Sequence, residues 1–499
     1  QSVSISKGDY NFEDEVDIKI KKPTKLHVSY LPIKHEETEY YDYQKERLIP
    51  ERLSFEGPAV VKADFNNDGL EDFFMGGAKF QRGRVFLSTK NKGFDEVKNF
   101  DLQKDNKFED TDAAAFDIDN DGDLDLYVVS GGNEYKELDK NYMDRVYLND
   151  GLGNFTRLKI FLPRTNGSSV SVSDFNNDGY DDLFVGSRSI TGFYGLSPYS
   201  FFLVNNKDNT LSPVGQQRYG MVTDSKWVDI NSDGKEDIVL VGDWMPITIL
   251  IQEDDLKFVN KTLEYGLSGT NGLWNVVEIK DFNEDGKIDI IAGNAGTNFK
   301  WKPSITKPVK MYLDDFDGNQ QPDPIIFYDF FGNYVPFSSK DKLDKQLPFL
   351  KKKFPNYNNF SKINDIKSLT GKGETDILEI KYIYDLESSI FINEEKGFKK
   401  YALPQSAQLS NIEDFKFLKN LNDLIYVGNY SKYVTELGFS NANPGGFLFD
   451  FDTTNMNFQN AKTLPLPFNK DYKAILDFDD NHLIFSNNDY IYSLSQDLK

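Results

Sequence analysis

The sequence predicts an all-β protein, a β-propeller of seven or eight four-stranded blades with a short helical insertion. Two observations support this prediction. A nine-residue acidic motif recurs five times, at intervals of 53, 57, 55 and 52 residues, and each copy is flanked by short runs of β-branched and aromatic residues. A repeat of about 50 residues that holds four strands has the size of a propeller blade.

Composition excludes several classes of function. The chain has 499 residues, a net charge of −23, no cysteine and three histidines, His27, His35 and His482. The charge makes nucleic acid and anionic membranes poor partners. The lack of cysteine excludes thiolate chemistry, disulfides and Cys/His zinc sites. No apolar run approaches the roughly 18 residues that span a bilayer. Because the chain begins with Gln1 and shows no signal peptide, we expect a processed chain or a segment of a longer one.

The motif reads D-x-[DN]-x-D-G-x-x-D. The five full copies are DFNNDGLED from Asp64, DIDNDGDLD from Asp117, DFNNDGYDD from Asp174, DINSDGKED from Asp229 and DFNEDGKID from Asp281. A sixth copy, DFDGNQQPD from Asp315, follows only 34 residues after the fifth and has glutamine at the glycine position. We interpret it as an extra site within the fifth unit.

The chemistry of the motif points to a hard divalent cation. Calcium takes six to eight oxygens at about 2.3–2.6 Å, whereas magnesium demands a stricter octahedron and keeps its waters. Side chains at positions 1, 3, 5 and 9 and the backbone carbonyl of position 7 would converge around the ion, and glycine at position 6 permits the sharp turn. The predicted ligands are, loop by loop, Asp64, Asn66, Asp68, Leu70 and Asp72; Asp117, Asp119, Asp121, Asp123 and Asp125; Asp174, Asn176, Asp178, Tyr180 and Asp182; Asp229, Asn231, Asp233, Lys235 and Asp237; Asp281, Asn283, Asp285, Lys287 and Asp289; and Asp315, Asp317, Asn319, Gln321 and Asp323.

The loops have two alternative interpretations. An EF-hand needs glutamate at position 12 and flanking helices, but position 12 is Met75, Val128, Val185, Leu240 or Ala292, and the flanks read as strands. A plain Asp/Asn/Gly turn without metal is the other alternative, and it carries more weight for the sixth copy than for the first five.

The chain divides into four predicted parts. An N-terminal arm (1–50) carries two candidate strands, VDIKI and KLHVSYL, that could close the ring. Blades with calcium loops occupy 51–337, and VKMYLDD supplies a strand of the fifth unit. A lysine-rich helical insertion covers 338–370. Degenerate blades fill 371–499, where DILEIKYIY resumes the strands and the unit over 412–430 lacks the ligands of a loop.

These loops resemble those of the FG-GAP/VCBS-repeat β-propellers, which include the integrin α-subunit head. The D-F-N-x-D-G-x-x-D form, with DRVYLNDGLGNF and VGDWMPITIL, is most similar to bacterial VCBS-repeat proteins of the ASPIC/UnbV (cartilage acidic protein-like) group. The resemblance covers roughly residues 35–465. It implies a propeller, commonly of seven blades, and calcium, but says little about biological role. The literal Phe-Gly…Gly-Ala-Pro signature is absent.

The ions are expected to be structural, because each loop is closed by protein oxygens and no second group waits beside it for catalysis. Without metal, the loop carboxylates repel one another, so stability should depend on Ca²⁺ at five sites and a sixth. Extracellular modules bind calcium at about 10⁻⁴–10⁻³ M. This favours an exported protein that is extracellular, at the cell surface or associated with an outer membrane.

A partner is expected on the face opposite the calcium loops. In an antiparallel blade the loops between strands 2 and 3 lie on that face, and here they are long and aromatic. Long loops on a rigid scaffold often carry function, and Trp, Tyr and Arg are common interface anchors. The candidate contacts are Arg188, Phe193, Tyr194, Trp244, Phe299 and Trp301. Local packing between blades is the alternative role for the two tryptophans.

Three functions remain open from the sequence. The first is a non-enzymatic protein-interaction or scaffold module, part of a surface or outer-membrane assembly. The second is a carbohydrate-binding protein or polysaccharide lyase, which would need a base such as His, Lys, Tyr or Arg; the three histidines are more simply surface or packing residues. The third is a structural spacer in a larger surface assembly.

Overall fold

The computed structural model describes residues 26–496 except 92, 255, 419–422 and 479–480. Within these residues seven four-stranded antiparallel blades surround an axis, and an eighth sheet is inserted into the fifth blade. The innermost strands of the seven blades lie side by side in a closed ring. The predicted β-propeller is therefore confirmed, and it has seven blades. The candidate strand VDIKI lies outside the described residues.

The first described strand, β1 (Leu26–Lys34), is set apart, and the first four blades then follow one another without interruption. Their strands are β2 (Val60–Ala63), β3 (Asp72–Met75), β4 (Arg84–Ser88) and β5 (Phe94–Val97); β6 (Asp110–Phe116), β7 (Asp125–Ser130), β8 (Arg145–Leu148) and β9 (Thr156–Arg157); β10 (Asn166–Ser173), β11 (Asp182–Ser189), β12 (Ser200–Asn205) and β13 (Leu211–Gln217); and β14 (Met221–Val228), β15 (Asp237–Met245), β16 (Thr248–Asp254) and β17 (Lys257–Asn260).

The fifth blade is interrupted between its second and third strands. It begins with β18 (Gly272–Lys280) and β19 (Asp289–Asn294). The inserted sheet follows, with β20 (Val309–Asp314), β21 (Asp323–Phe330), β22 (Asn333–Pro336) and β23 (Glu379–Ile383) in the order β22-β21-β20-β23. The blade is then completed by β24 (Ser389–Glu394) and β25 (Gly397–Ala402). Blades four and five are also joined by a short pairing between the ends of β15 and β18.

The last two blades contain the degenerate repeats. Blade six is β26 (Ile412–Phe417), β27 (Leu424–Gly428), β28 (Gly445–Asp452) and β29 (Asn457–Thr463). Blade seven is β30 (Tyr472–Phe478), β31 (Asn481–Ser486) and β32 (Tyr490–Gln496), and β1 pairs antiparallel with β32 as its fourth strand. The N-terminal strand KLHVSYL therefore closes the ring, as the sequence suggested.

Buried apolar clusters fill each of the seven interfaces between neighbouring blades. The second strands of the first six blades are buried along their whole described length, since both of their faces pack against a neighbour. At the seam between blades one and seven the rings of Phe73 and Phe485 meet edge to face at 5.5 Å. The blades therefore form one continuous core, as expected for repeats that cannot bury both faces alone.

The inserted sheet corrects one expectation from the sequence. VKMYLDD lies in β20, and DILEIKYIY ends in β23, which pairs with β20 rather than with a blade. The third strand of blade five is β24, which pairs with β19. The sequence could not show this, because the blade strands β19 and β24 are about 95 residues apart in the chain and the intervening strands look the same in composition.

Short helices cover the outer face of the inserted sheet. They are α3 (Lys340–Gln346), α4 (Leu350–Lys353), α5 (Tyr357–Phe360) and α6 (Ile366–Thr370), and two others, α1 (Asp42–Lys45) and α2 (Phe100–Lys104), lie elsewhere. Single turns of 3₁₀ helix occur at Lys140–Tyr142, Glu374–Asp376 and Gln405–Gln408. The Asp365 side chain caps α6 by accepting from the Ser368 amide at 2.6 Å. Leu343, Leu347 and Leu369 pack on Ile325 and Phe327 of the sheet.

The insertion and one N-terminal segment together cover one end of the propeller. We call residues 35–57 the strap, and the strap with residues 295–388 the cap. Ile49 and Leu53 of the strap share one buried cluster with Met311 and Ile326 of the inserted sheet and with Trp244 of blade four. Both segments connect strands on the same face, because one is a link between strands 2 and 3 and the other a link between strands 4 and 1. The cap therefore covers the axis on the face opposite the acidic loops.

Candidate metal centres

The five full motifs each join the first and second strands of a blade, in blades one to five. The first aspartate fixes the turn through two backbone hydrogen bonds. In the first loop the amides of Asp68 and Gly69 donate to Asp64 Oδ1 and Oδ2 at 3.1 and 2.8 Å. The amides at positions 5 and 6 of the other five loops make the same pair of bonds. The six motifs therefore share one loop conformation.

The ninth residue is a buried aspartate that ties the loop to the blade. Asp72 Oδ2 accepts from the Phe65 amide of its own loop at 3.0 Å, and its Oδ1 accepts from the Ser88 amide on the third strand at 2.7 Å. The bond to the third strand recurs in blades two to five. Position 9 therefore links the loop to the centre of each blade.

Two loops bring three carboxylates together closely enough to hold a metal ion. Oxygens of Asp117, Asp119 and Asp125 lie within 4.8 Å of one another, and so do oxygens of Asp315, Asp317 and Asp323. The other four loops have asparagine at position 3 and offer an amide oxygen there. The second loop fits a cation, because Asp119 Oδ1 is buried without a hydrogen-bond partner among the described residues. Asp182 Oδ2 of the third loop is also buried and has no hydrogen-bond partner among the described residues.

Burial changes the acidity of the ninth aspartates. It raises the pKa of Asp72, Asp237, Asp289 and Asp323 to about 6, and that of Asp125 and Asp182 to about 7. Neighbouring loop carboxylates add to the shift, while the backbone hydrogen bonds oppose it. A cation among these oxygens would stabilise their ionised form. A bound ion would therefore offset the free-energy cost of burying these carboxylates.

The sixth loop lies in the inserted sheet, between β20 and β21, and its glycine has moved. Gly318 stands at position 4 and Gln320 at position 6, with φ of +79° and +68°. Asp323 accepts here from Gln346 Nε2 of α3 at 2.8 Å instead of from a third-strand amide. This loop is therefore braced by the helical part of the cap.

The two residue types at position 6 give a paired prediction. Gly286 has φ of +84°, and a Cβ atom added there would have no other atom within 4 Å. Gly286→Gln should therefore destabilise the protein only through the left-handed backbone conformation, by about 1 kcal/mol. Gln320→Gly should relieve a similar strain, with a gain of up to about 1 kcal/mol. Denaturant unfolding of both variants in millimolar calcium measures the difference. Gly373→Gln, at an ordinary φ of −78°, is the control and should change little; equal losses in all three variants would contradict the argument.

A set of amide side chains beside the loops is not predicted by the motif. Asn149, Asn205 and Gln252 lie at or near the ends of the third strands of blades two, three and four: Asn149 follows β8, Asn205 is the last residue of β12 and Gln252 lies two residues before the end of β16. Their backbone amides are the donors to Asp125, Asp182 and Asp237, each at 2.8 Å. These residues share a sequence signal, because YLND, LVNN and LIQE each have an amide residue at the third position. Their role depends on contacts with the neighbouring blade, which the sequence does not show.

The predicted contact residues are mostly interior. Trp244, Trp301, Tyr194 and Phe299 belong to the buried cluster beneath the cap, and Trp244 Nε1 donates to the Tyr194 hydroxyl at 3.1 Å. The packing role that was the alternative for the tryptophans is the one this structure supports. A partner cannot reach these four side chains while the cap is in place. Phe193 is half-buried, and its contact role stays a prediction.

Arg188, the sixth predicted contact, is a buried clamp. Its guanidinium donates to Asp243 Oδ2 at 2.7 Å, and to Glu56 Oε1 and Glu51 Oε2 at 3.0 Å each. Glu51 and Glu56 belong to the strap, whereas Arg188 and Asp243 lie on β11 and β15. The clamp therefore fastens the strap over the axis. Burial raises the pKa of Glu51 to about 7, although Arg188 opposes the shift.

A polar channel of about 750 Å³ follows the axis between the inner strands. Side chains bridge these strands: Asp112 accepts from the Val170 amide, Asp224 from the Val277 amide, and Asp414 from the Ile475 amide, at 2.7–2.9 Å. Arg188 and Glu56 line the channel at its cap end. The channel charges thus serve to join adjacent blades.

The three histidines lie in the strap and in blade seven. Burial and the nearby Arg84 lower the pKa of His35 to about 3. His482 Nδ1 lies 2.6 Å from Asp477 Oδ1, and His27 lies on the closing strand β1. The structure also has no helix, within the residues it describes, that is long and apolar enough to cross a membrane.

Comparison with known families finds FG-GAP-like repeats in the chain. Residues 64–128, 117–185 and 229–292 match the FG-GAP-like repeat. Each segment begins at the first aspartate of a loop, and the three segments together fall within the first five blades. No curated protein matches the sequence.

Several solved structures are distantly similar. A lectin from Agrocybe aegerita, solved for its recognition of non-reducing terminal N-acetylglucosamine, is 15% identical over 47% of this chain and 60% of the lectin chain, with a TM-score of 0.32. BBS1N, in complex with ARL6DN, is 10% identical over 89% and 94%, with a TM-score of 0.42. Virginiamycin B lyase from Staphylococcus aureus is 8% identical over 94% and 99%, with a TM-score of 0.41. The chain thus spans about 60% of the length of the lectin.

Proposed function

We propose that this propeller of FG-GAP-like repeats is a calcium-stabilised protein-interaction module that works outside the cytoplasm, as part of a cell-surface or outer-membrane assembly. Five loops, and a sixth in the cap, would each hold one Ca²⁺. Within the repeat family, the D-F-N-x-D-G-x-x-D form of the loops supports a place among the bacterial VCBS-repeat proteins of the ASPIC/UnbV group.

The proposed interaction role rests on one observation. Exposed apolar side chains are distributed unequally between the two faces of the propeller. Among the described residues, the large apolar side chains exposed in loops of the acidic face are Leu152 and Leu256. The cap face exposes many more, including Tyr41, Phe80, Leu138, Phe161, Leu263, Ile305, Phe331 and Phe439. A contiguous exposed apolar patch is typical of an interaction site, and this difference between the faces supports a partner on the cap face.

Phe331 shows this exposure most clearly. It is 90% exposed at the turn between β21 and β22 and has φ of +51°, a conformation that is unfavourable for a bulky residue. Its ring meets that of Phe330 edge to face at 4.7 Å. A strained backbone that presents an aromatic ring to solvent supports a binding role for the tip of the inserted sheet.

Binding through the cap face can be tested with matched variants. The native protein in millimolar calcium should capture a defined partner, identified by mass spectrometry, and Phe331→Ser with Phe439→Ser should lose it. Leu152→Ser with Leu256→Ser, on the acidic face, is the matched control and should retain it. The proposal fails if the control loses the partner equally, or if the cap-face variant retains it in full.

The carbohydrate alternative is less favoured. Trp244 and Trp301, the residues that could have stacked on a sugar, lie in the buried cluster beneath the cap. His35, with a pKa of about 3, is a poor general base. Cleavage of uronate polymers by the native protein would restore the lyase alternative.

A further inference from the structure

The loops of neighbouring blades are joined by the amide side chains at the ends of the third strands. Asn149 Nδ2 donates to the Phe65 carbonyl at 2.9 Å, and Asn205 Nδ2 to the Ile118 carbonyl at 2.8 Å. Gln252 Nε2 donates to the Phe175 carbonyl, also at 2.8 Å. In each case the acceptor is the second residue of the loop in the preceding blade.

Each amide residue therefore touches two loops. Its side chain holds the carbonyl of position 2 in one loop, between the predicted ligands at positions 1 and 3. Its backbone amide holds the aspartate of position 9 in the next loop. Asn205 and Gln252 are 2% and 1% exposed, so water does not compete for these bonds. The same arrangement three times in succession connects the loops of blades one to four.

The second and third loops have further direct links. The Asp117 amide donates to Asp181 Oδ2 at 3.0 Å. Asn209 Nδ2, in the turn after the third strand of blade three, lies 3.4 Å from Asp119 Oδ2. Asp117 and Asp119 are predicted ligands of the second loop, so this pair of loops is joined at the ligands themselves.

We propose that the loops of blades one to four bind their ions cooperatively, with Asn149, Asn205 and Gln252 as the positioning residues that couple them. The inference rests on the proposed calcium sites. An ion that fixes positions 1 and 3 of one loop also fixes the carbonyl between them and the amide bonded to it. The backbone of the amide residue then holds position 9 of the next loop ready for its own ion. The second ion then binds to residues that the first ion has already ordered, so its binding loses less conformational entropy. This is a source of positive coupling between the sites.

Terbium(III), an oxygen-preferring lanthanide ion, can report on single loops because of one tryptophan. The Trp227 ring stacks on Phe175 of the third loop at 5.3 Å, and Trp227 stands two residues before Asp229 of the fourth loop. Emission of Tb³⁺ sensitised by this tryptophan should report binding at the third and fourth loops. The other three tryptophans lie at the cap end of the blades or in the cap.

A mutant cycle tests the link between the second and third loops. Asp117→Asn with Asp121→Asn weakens the second loop, and Asn205→Leu removes the bridge. Each should lower the Tb³⁺ affinity reported by Trp227 about fivefold or more, the usual lower range for coupled sites. With Asn205→Leu already present, the second-loop change should have a smaller further effect, carried by the direct links from Asp117 and Asp119. Asn206→Leu is the control, because the Asn206 amide bonds only within its own turn, to Thr210 and Ser212.

The outcomes separate this inference from the calcium proposal. The coupling is overturned if weakening the second loop leaves the Tb³⁺ affinity at Trp227 unchanged. It is also overturned if the effects of the second-loop change and of Asn205→Leu on that affinity simply multiply. Either result leaves the proposed sites intact. No binding of Tb³⁺ or Ca²⁺ by the unaltered protein, measured by calorimetry, would overturn the sites themselves. If Asn205→Leu does not fold, Gln252→Met tests the link between the third and fourth loops. It should lower the Hill slope of the emission titration, although the third loop keeps its link to the second, and an unchanged slope would contradict the coupling.

Discussion

Removal of calcium with a chelator should lower the melting temperature of this protein by about 10 °C. Each site that binds only the folded state adds RT ln(1 + [L]/Kd), about 1.8 kcal/mol when the free ion is twentyfold above Kd. Five such sites add about 9 kcal/mol. For a chain of this length, the size scaling gives a shift of about 1 °C for each kcal/mol. The physical cause is that the loop carboxylates repel one another until a cation lies among them.

The measurement is a thermal scan with calcium, with magnesium and with chelator. Magnesium should restore little of the lost stability, because it dehydrates reluctantly and demands a strict octahedron. Asp117→Asn should reduce the calcium-dependent part of the shift. Asp150→Asn, in the neighbouring turn outside the motif, should leave it unchanged. An equal melting temperature in calcium and in chelator would show that the ions do not stabilise the fold.

The loops could be predicted from sequence because their chemistry is local. Nine consecutive residues supply the predicted ligands and the turn, so Asp117 to Asp125 can be interpreted without knowledge of the rest of the chain. Most blades were also predictable, since outside the fifth and seventh blades each strand pairs with a sequence neighbour, and the motif marks the first hairpin of the first five. Closure of the ring by the strand that begins after residue 25 was also predictable, because the last blade of a propeller needs a strand to pair with its open edge.

The cap could not be predicted, because it depends on contacts between distant segments. Trp301 and Trp244 lie in loops whose composition suits exposure to a partner as well as burial beneath an inserted sheet. The sequence does not show that Ile49, more than 250 residues away from Met311, packs in the same cluster. Arg188 looked like a surface anchor for the same reason: its acidic partners Glu51 and Glu56 are more than 130 residues earlier.

The cap also changes which surface a partner would meet. The loops between the second and third strands, which the sequence favoured, contribute many of their aromatic residues to an internal core. The exposed apolar residues of the cap face come from loop tips and from the inserted sheet. The surface that distinguishes this chain from a bare propeller is therefore the insertion in blade five, held in place by the strap.

Arg188→Met should destabilise the fold by about 3–5 kcal/mol at pH 8, because it leaves buried carboxylates without their cation. Arg188 is 9% exposed and contacts the buried Glu51 and Asp243 and the half-buried Glu56. Denaturant unfolding measures the loss. Arg218→Met is the matched control: this arginine is exposed and donates to the Ser197 carbonyl, so its loss should change stability by about 0.5 kcal/mol or less.

The loss should depend on pH in a definite direction. Burial raises the pKa of Glu51 to about 7, and Arg188 holds it from rising further. A carboxyl group with a raised pKa binds more protons in the folded state than in the unfolded state, so stability falls as pH rises from about 4.5 to the folded pKa. Without Arg188 the pKa rises further and this window extends above pH 7. The gap between variant and native protein should therefore be small near pH 5 and largest near pH 8.

Removal of the acidic partners as well distinguishes an ion clamp from simple packing. Glu51→Gln, Glu56→Gln and Asp243→Asn, added to Arg188→Met, should recover most of the lost stability at pH 8, because a cluster that loses its charges together leaves no buried ion unpaired. Recovery would show that charge pairing decides how the strap is held over the channel. If Arg188→Met is as stable as the native protein at pH 8, the apolar contacts of Ile49 and Leu53 with the inserted sheet suffice to hold it, and the strap is fastened by the cap core rather than by the clamp.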